Sequence, residues 1–326
     1  MRAVVITRPG GPDVLQLRHV ADPVPGPRRA RVRVHATAVN RADLLQRMGQ
    51  YPAPADAPQD IPGLEYAGVV DAVGEGTTRW QAGDRVMGLV GGGSYAEYVV
   101  AHEGEAIGVP DALTLEDAAA LPEAFITAHD ALFTRMRLER GESLLIHAVG
   151  SGVGTAALQL AKAHGAFVLG TQRSAWKLER AQALGLDVAI EAEAGAFAER
   201  VRAEVPGGVD GILDLVGGDY LMDDLRAIRV LGRIILVGLV AGARTELDMR
   251  LLLNRRATIT GTVLRARSLD EKIDAARRFE RAVMPLLAAG AVRPVIGEVV
   301  PLAEAARAHE IVEANRTYGK VVLVVG

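Results

Sequence analysis

His147-Ala-Val-Gly-Ser-Gly-Val-Gly-Thr155 decides the fold. The residues leading into it, Ser143–Val149, read as a buried strand. Those that follow, from about Val153 to His164, read as an amphipathic helix. A strand that runs through closely spaced glycines into a helix has the form of the phosphate turn of a βαβ unit. Gly150, Gly152 and Gly154, with Ser151 and Val153 between them, let the backbone turn sharply and approach a pyrophosphate. The helix start then aims free N–H groups at that anion. The spacing departs from GxGxxG, because Thr155 stands where the last glycine is expected. A tight turn with no ligand would use the same glycines, so the surroundings decide.

Downstream, strands and helices alternate, as in a parallel sheet covered on both faces. Strands are expected at Ala166–Thr171, Asp187–Ile190, Val209–Val216, Arg233–Val240 and Thr258–Val263. Helices are expected over 174–184, 195–205 and 220–230. The tail adds a long helix over 269–289, a strand over 295–300, a helix over 303–314 and a strand over 321–325. The last strand is a candidate to return to the first domain. Upstream of about residue 120 the texture is β-rich: Ala3–Thr7, Arg31–Val39, Ala67–Val73, Arg85–Val90 and Tyr95–Val100 carry β-branched residues between turn formers. Pro-rich stretches at 22–27 and 52–62 read as loops, and the whole suggests a partly open barrel. The fold class is therefore α/β: a Rossmann doubly wound parallel sheet plus a β-rich domain. Boundaries are expected at 1–122, completed by about 266–326, and 123–265.

The end of the second parallel strand bears on the nucleotide. An NAD site usually places Asp or Glu there, for the ribose 2′-hydroxyl. Here Gly170-Thr-Gln-Arg-Ser-Ala-Trp-Lys177 carries no acid. Arg173, Ser174 and Lys177 suit a 2′-phosphate and point to NADPH; a solvated helix start is the alternative.

Val39-Asn-Arg-Ala-Asp-Leu-Leu-Gln-Arg-Met-Gly-Gln-Tyr-Pro52 and Ile61-Pro-Gly-Leu-Glu-Tyr-Ala-Gly-Val70 resemble the medium-chain dehydrogenase/reductase superfamily. Within it the chain resembles the zeta-crystallin-like quinone oxidoreductases, most closely the p53-inducible quinone oxidoreductase type. Pro122-Glu-Ala124, Gly150–Ala157, Leu213–Gly218, Leu264–Arg267 and Ala314–Lys320 continue the likeness along nearly the whole chain. The resemblance implies that the β-rich half is a GroES-like catalytic domain. It places Asn40 and Tyr51 near the nicotinamide and the acceptor, and Gly238, Leu239 and Asn315 against the cofactor. Tyr51 would hydrogen-bond a developing oxyanion or stack on a flat ring; loop packing for Tyr51 and a turn cap for Asn40 stay open. Arg41, Asp43 and Glu65 are expected to pair structurally. A homodimer is implied, with Thr258–Val263 as the candidate edge.

Zinc-dependent relatives in the superfamily carry a Cys where Asn40 stands, a Ser or Thr where Ala42 stands and a His where Leu64 stands. The chain has no cysteine, and its seven histidines lack metal-type spacing. No metal is expected. Without a Lewis acid, hydride transfer suits an acceptor that is already electrophilic. That points to a quinone, with α,β-unsaturated carbonyls and enoyl thioesters as alternatives. A low-turnover, NADPH-binding redox-responsive protein is the reading from another class. A net charge of −3 gives no field for nucleic acid. The longest apolar run, Ile234–Ala243, is too short for a membrane span, and the N-terminal stretch breaks too early for a signal peptide. A cytoplasmic protein is the expectation.

Overall fold

The structure is a computed structural model that describes residues 1–192 and 197–326. The chain divides into two compact units. The first comprises residues 1–126, 264–285 and 294–326. It opens with an antiparallel hairpin of β1 (Arg2–Ile6) and β2 (Leu15–His19), followed by the long strand β3 (Arg29–Val39). A short helix, α1 (Arg41–Arg47), precedes β4 (Glu65–Val73), β5 (Arg85–Leu89), β6 (Tyr98–His102) and β7 (Ile107–Gly108). Helices α2 (Leu115–Ala119) and α3 (Pro122–His129) follow. The strand expected at Tyr95–Val100 begins later, because Tyr95 is drawn to β1: its carbonyl accepts the Val4 N–H at 2.8 Å.

The second unit comprises residues 127–263 and 286–293. Its elements are β8 (Ser143–Ile146), α4 (Gly152–His164), β9 (Phe167–Gln172), α5 (Ala175–Ala183), β10 (Val188–Glu191), α6 (Ala198–Glu204), β11 (Val209–Asp214), α7 (Tyr220–Ala227), β12 (Ile228–Leu236), α8 (Met249–Arg255) and β13 (Thr258–Gly261). The strands form one parallel sheet in the order β10-β9-β8-β11-β12-β13. The winding reverses between β8 and β11, and the crevice at such a reversal is where doubly wound sheets bind ligands. The glycine turn leaves β8 at that point.

Several boundaries differ from expectation. The helix expected over 220–230 stops at Ala227, because Ile228 is already paired with Val209. The next strand closes at Leu236 rather than Val240. Helix α8 was not foreseen: it buries no residue, so no apolar stripe marks it, and it starts because Asp248 caps the Arg250 and Leu251 N–H groups. Residues 195 and 196 of the expected 195–205 helix lie outside the described residues.

The tail supplies α9 (Leu269–Ala282), α10 (Met284–Ala288), β14 (Ile296–Pro301), α11 (Ala305–Glu313) and β15 (Lys320–Val324). The single helix expected over 269–289 divides because Pro285 has no N–H to continue the ladder. Residues 286–293 group with the second unit rather than the first. In the first unit β15 runs antiparallel to β3, from Val321 opposite Val39 to Val324 opposite Ala36. The sheet order is β14-β15-β3-β4-β5-β7, with β6 also on β3. Val32, Tyr66, Val86, Tyr95, Val321 and Leu323 are fully buried in its core.

Candidate active site

Strand β3 runs antiparallel to β4, β6 and β15, and its C-terminal end meets the starts of β4 and β15. Three polar residues lie at that sheet end: Asn40 just past β3, Glu65 opening β4 and Lys320 opening β15. The Asn40 amide donates to Glu65 Oε1 at 2.8 Å and to the Ala38 carbonyl at 3.2 Å. Asn40 Oδ1 accepts from Lys320 Nζ at 2.5 Å. Lys320 also donates to the Val39 carbonyl at 3.2 Å and contacts Glu65 Oε1 at 2.7 Å. The second Glu65 oxygen accepts the Glu123 N–H at 2.8 Å, at the start of α3. Glu65 is 0 % exposed and Lys320 5 %. Burial of these charges is tolerable because each has a counterion and hydrogen bonds. The Asn40 side chain is thereby locked while its backbone caps α1, the Asn40 N–H donating to Asp43 at 2.8 Å.

Arg41, Asp43 and Glu65, expected to pair structurally, each hold other partners as well. Arg41 donates to Asn315 Oδ1 at 2.7 Å, and Asp43 accepts the Gly63 N–H at 3.1 Å. Burial pushes the Asp43 carboxyl up to about 6. Behind it, Tyr95 donates to Asp43 at 3.4 Å and lies 3.2 Å from His309 Nε2. Burial, then the Arg47 charge, hold the His309 imidazole down to about 3. Asn315 follows α11 with a positive φ of 53°, which asparagine tolerates.

Tyr51 lies beyond α1, half-buried, with the Arg265 guanidinium 5.2 Å from its ring centroid. Arg265 also donates to the Tyr51 carbonyl at 3.2 Å, so the ring is clamped. Among the described residues nothing hydrogen-bonds the Tyr51 hydroxyl, which leaves it available to a ligand. Burial raises its pKa, opposed by Arg265 and reinforced by Glu123. The Glu123 carboxyl is pushed up to about 7 by burial and then by Glu65. It therefore carries a proton over part of the neutral range. Lys320, Glu123 and Arg265 were given no role from sequence. The scarcity of lysine was the available signal for Lys320, and an acid amid the otherwise apolar stretch Ala118–Ile126 the signal for Glu123.

In the second unit the glycine turn leads from β8 into α4. Ser151 is the N-cap of α4, its hydroxyl accepting the Gly154 N–H at 3.0 Å. A Cβ on Gly154 would lie 2.4 Å from the Ala148 carbonyl oxygen, so only glycine fits. The sharp turn itself is not made by Gly150 or Gly152: the left-handed residue is Ala148, with φ 47°. Val153 lies in the first turn of α4. At the end of β9, Arg173 is exposed and, among the described residues, unpaired; Ser174 is the N-cap of α5 without a side-chain cap bond. Lys177 differs: it is 4 % exposed, with Nζ 5.4 Å from the Trp176 ring centroid. Gly238 and Leu239 do not end a strand but follow β12 by two and three residues. A Cβ at Gly238 would meet the Leu215 carbonyl at 2.5 Å, and Leu239 is 57 % exposed. His147, fully buried, lies 2.7 Å from both Thr171 Oγ1 and Asp224 Oδ1. Its role is structural: it ties β8 to β9 and α7. Among the described residues no three His, Cys, Asp or Glu are grouped as a metal would need.

Comparison with known proteins finds two family matches along the chain. The alcohol dehydrogenase GroES-like domain matches residues 26–111, and the family described as zinc-binding dehydrogenase matches residues 152–281. The quinone oxidoreductase of Rattus norvegicus is 32% identical over 99% of this chain and 98% of its own. The crystal structure of Escherichia coli quinone oxidoreductase complexed with NADPH superposes with a TM-score of 0.91, at 28% identity over 100% of both chains. A crystal structure of an NAD-dependent alcohol dehydrogenase gives a TM-score of 0.88, at 33% identity over 100% of both chains.

Proposed function

The chain belongs to the quinone oxidoreductase group of the medium-chain dehydrogenase/reductase family, and on that premise we propose that it reduces quinones with hydride from NADPH and without a metal. Its class of activity, oxidoreductase, follows from the family. The carrying observation is the state of Asn40. Its amide is neutral, is held between Glu65 and Lys320, and stands where zinc-dependent relatives place a thiolate. With Leu64 nearby and no cysteine in the chain, the donor set for a Lewis acid is missing. The acceptor must supply its own electrophilicity, as a quinone does.

NADPH, when bound, supplies the hydride. The residues present fit it: Gly150–Gly154 with the N-terminus of α4 for the pyrophosphate, and Arg173 with Ser174 for the 2′-phosphate. The exposed, unpaired Arg173 favours NADPH over NADH. Lys177, buried against Trp176, contributes more weakly than its position in the sequence suggests. Gly238 and Leu239 follow the carboxyl end of β12 and are assigned to the cofactor with Asn315. The hydride and one proton convert the quinone to a hydroquinone. The free Tyr51 hydroxyl donates to the acceptor oxygen as charge develops on it, and Asn40 orients the ring.

Strand β13 is the edge of its sheet, and Met249 and Leu253 on the preceding α8 are 70 % and 74 % exposed. Pairing of two such edges supports a homodimer. The test of the function is NADPH oxidation with ortho- and para-quinones, enals and enoyl thioesters, before and after exhaustive chelation. Turnover restricted to thioesters, or lost with the metal, would overturn the reading.

A further inference from the structure

The first unit holds a pocket of about 320 Å³ that neither Asn40 nor the glycine turn explains. Its walls come from β3, β6, the loop after Tyr51, the Gly91–Gly92 turn and the stretch leading into α9. Four cations line it: Arg29, Arg265, Arg267 and Lys272. Arg29 and Lys272 are both half-buried, and among the described residues neither side chain has a hydrogen bond or ion pair. Arg265 is 8 % exposed, yet among the described residues its guanidinium hydrogen-bonds neutral acceptors alone: the Gly91 carbonyl at 2.8 Å, the Tyr51 carbonyl at 3.2 Å and Gln46 Oε1 at 2.6 Å. A buried cation without a bound anion is costly, and such cations ordinarily have one. The opposing charges in the lining are Asp56, exposed on the loop, and Glu105, whose carboxyl is raised by burial and lowered by Lys272 and Arg29. Even with both ionised, the lining holds an excess of positive charge.

The pocket shares Arg265 with the proposed acceptor site. Arg265 stands over the Tyr51 ring and also lines the pocket, and the loop from Tyr51 supplies Pro54, Asp56 and Ala57 to its wall. We propose that this pocket is an oxyanion site for the acceptor, holding a carboxylate or phosphate carried on a short tail between Arg29 and Lys272. The inference rests on the quinone reductase reading and narrows it: the acceptor is an anionic quinone or enone. Such a tail gains charge-assisted hydrogen bonds that a neutral acceptor lacks.

The test compares a para-quinone bearing a carboxylate on a short alkyl tail with its methyl ester, which has the same ring. The readout is the acid-to-ester ratio of kcat/KM within each protein, so ring reactivity cancels. In wild type the ratio should fall as salt rises. In Lys272→Ala, and separately in Arg29→Ala, it should fall roughly 5- to 20-fold, as expected when one partly exposed charge-assisted bond is lost. A ratio unchanged in both variants would overturn the proposal. Inorganic phosphate is the second arm. Competition by phosphate against the acid but not the ester supports the tail; inhibition of both, with an unchanged ratio, assigns the pocket to a free anion and overturns it. If neither quinone is turned over, the proposed function fails. The pocket is then read separately by calorimetry with the redox-inert dimethoxy analogues, where equal affinity of acid and ester would overturn it.

Discussion

Replacing Lys320 with methionine keeps the stem and removes the charge. In the folded chain Lys320 Nζ touches three acceptors, the Val39 carbonyl, Asn40 Oδ1 and Glu65 Oε1. The variant leaves Glu65, 0 % exposed, with the Asn40 amide and the Glu123 N–H as its remaining donors. Removing one partner of a buried pair costs about 3–5 kcal/mol, and the two retained hydrogen bonds hold the loss near the lower bound. For a unit of this size each kcal/mol moves the melting temperature by about 2–4 °C, so a fall of roughly 6–12 °C is expected. Glu65→Gln combined with Lys320→Met removes both charges and should recover about 2 kcal/mol of the loss. Trp80 lies in the first unit and Trp176 in the second, so urea unfolding in a Trp176→Phe background reports on the first unit alone. A single-variant loss below about 1 kcal/mol, or a double variant no more stable than the single, would refute the reasoning. Turnover should fall with stability, because the Asn40 amide loses one of its three anchors, the one on its oxygen.

Tyr51→Phe should lower quinone turnover roughly 10- to 100-fold with unchanged NADPH affinity, as when one hydrogen bond to a developing oxyanion is lost; unchanged kinetics would leave the ring as packing. Arg173→Ala should weaken NADPH binding roughly 5- to 10-fold and leave NADH nearly unaffected, the modest size reflecting an exposed charge; titration of both cofactors decides it. His309 gives a pH signature. Its folded value, about 3, lies below the ordinary 6.5, so its contribution to stability is complete above pH 6.5 and is lost as pH falls toward 3. At pH 5 the loss is about 2 kcal/mol, and His309→Gln should remove that component from the slope measured in urea titrations between pH 7.5 and 5, leaving the opposing components of Asp43 and Glu123. An identical slope in the variant would contradict the buried neutral imidazole.

What was legible in the sequence was local. Glycines between a strand and a helix announce a phosphate turn, and the structure supplies the reason at Gly154, where a Cβ would strike the Ala148 carbonyl. Helix α8 was not legible, since its leucines are at most partly buried and imprint no clear period on it. Nor was the division at Pro285 drawn, although proline is the residue that breaks the ladder. At Asn40 the sequence allowed a cap or a site residue. The structure shows the backbone capping α1 while the side chain joins Glu65 and Lys320. That network could not be read from sequence, because Lys320 reaches Asn40 only through the pairing of β15 with β3. Glu123 and Arg265 follow the same rule: their protonation and contacts are set by neighbours distant along the chain.

The most direct measurement mixes exhaustively chelated protein with NADPH and a para-quinone and follows the nicotinamide absorbance beside hydroquinone formation. Steady oxidation is predicted, with one hydroquinone formed per NADPH consumed and NADH the poorer donor. Absence of oxidation with every quinone tried, or activity that disappears on chelation and returns with zinc, would contradict metal-free hydride transfer from NADPH.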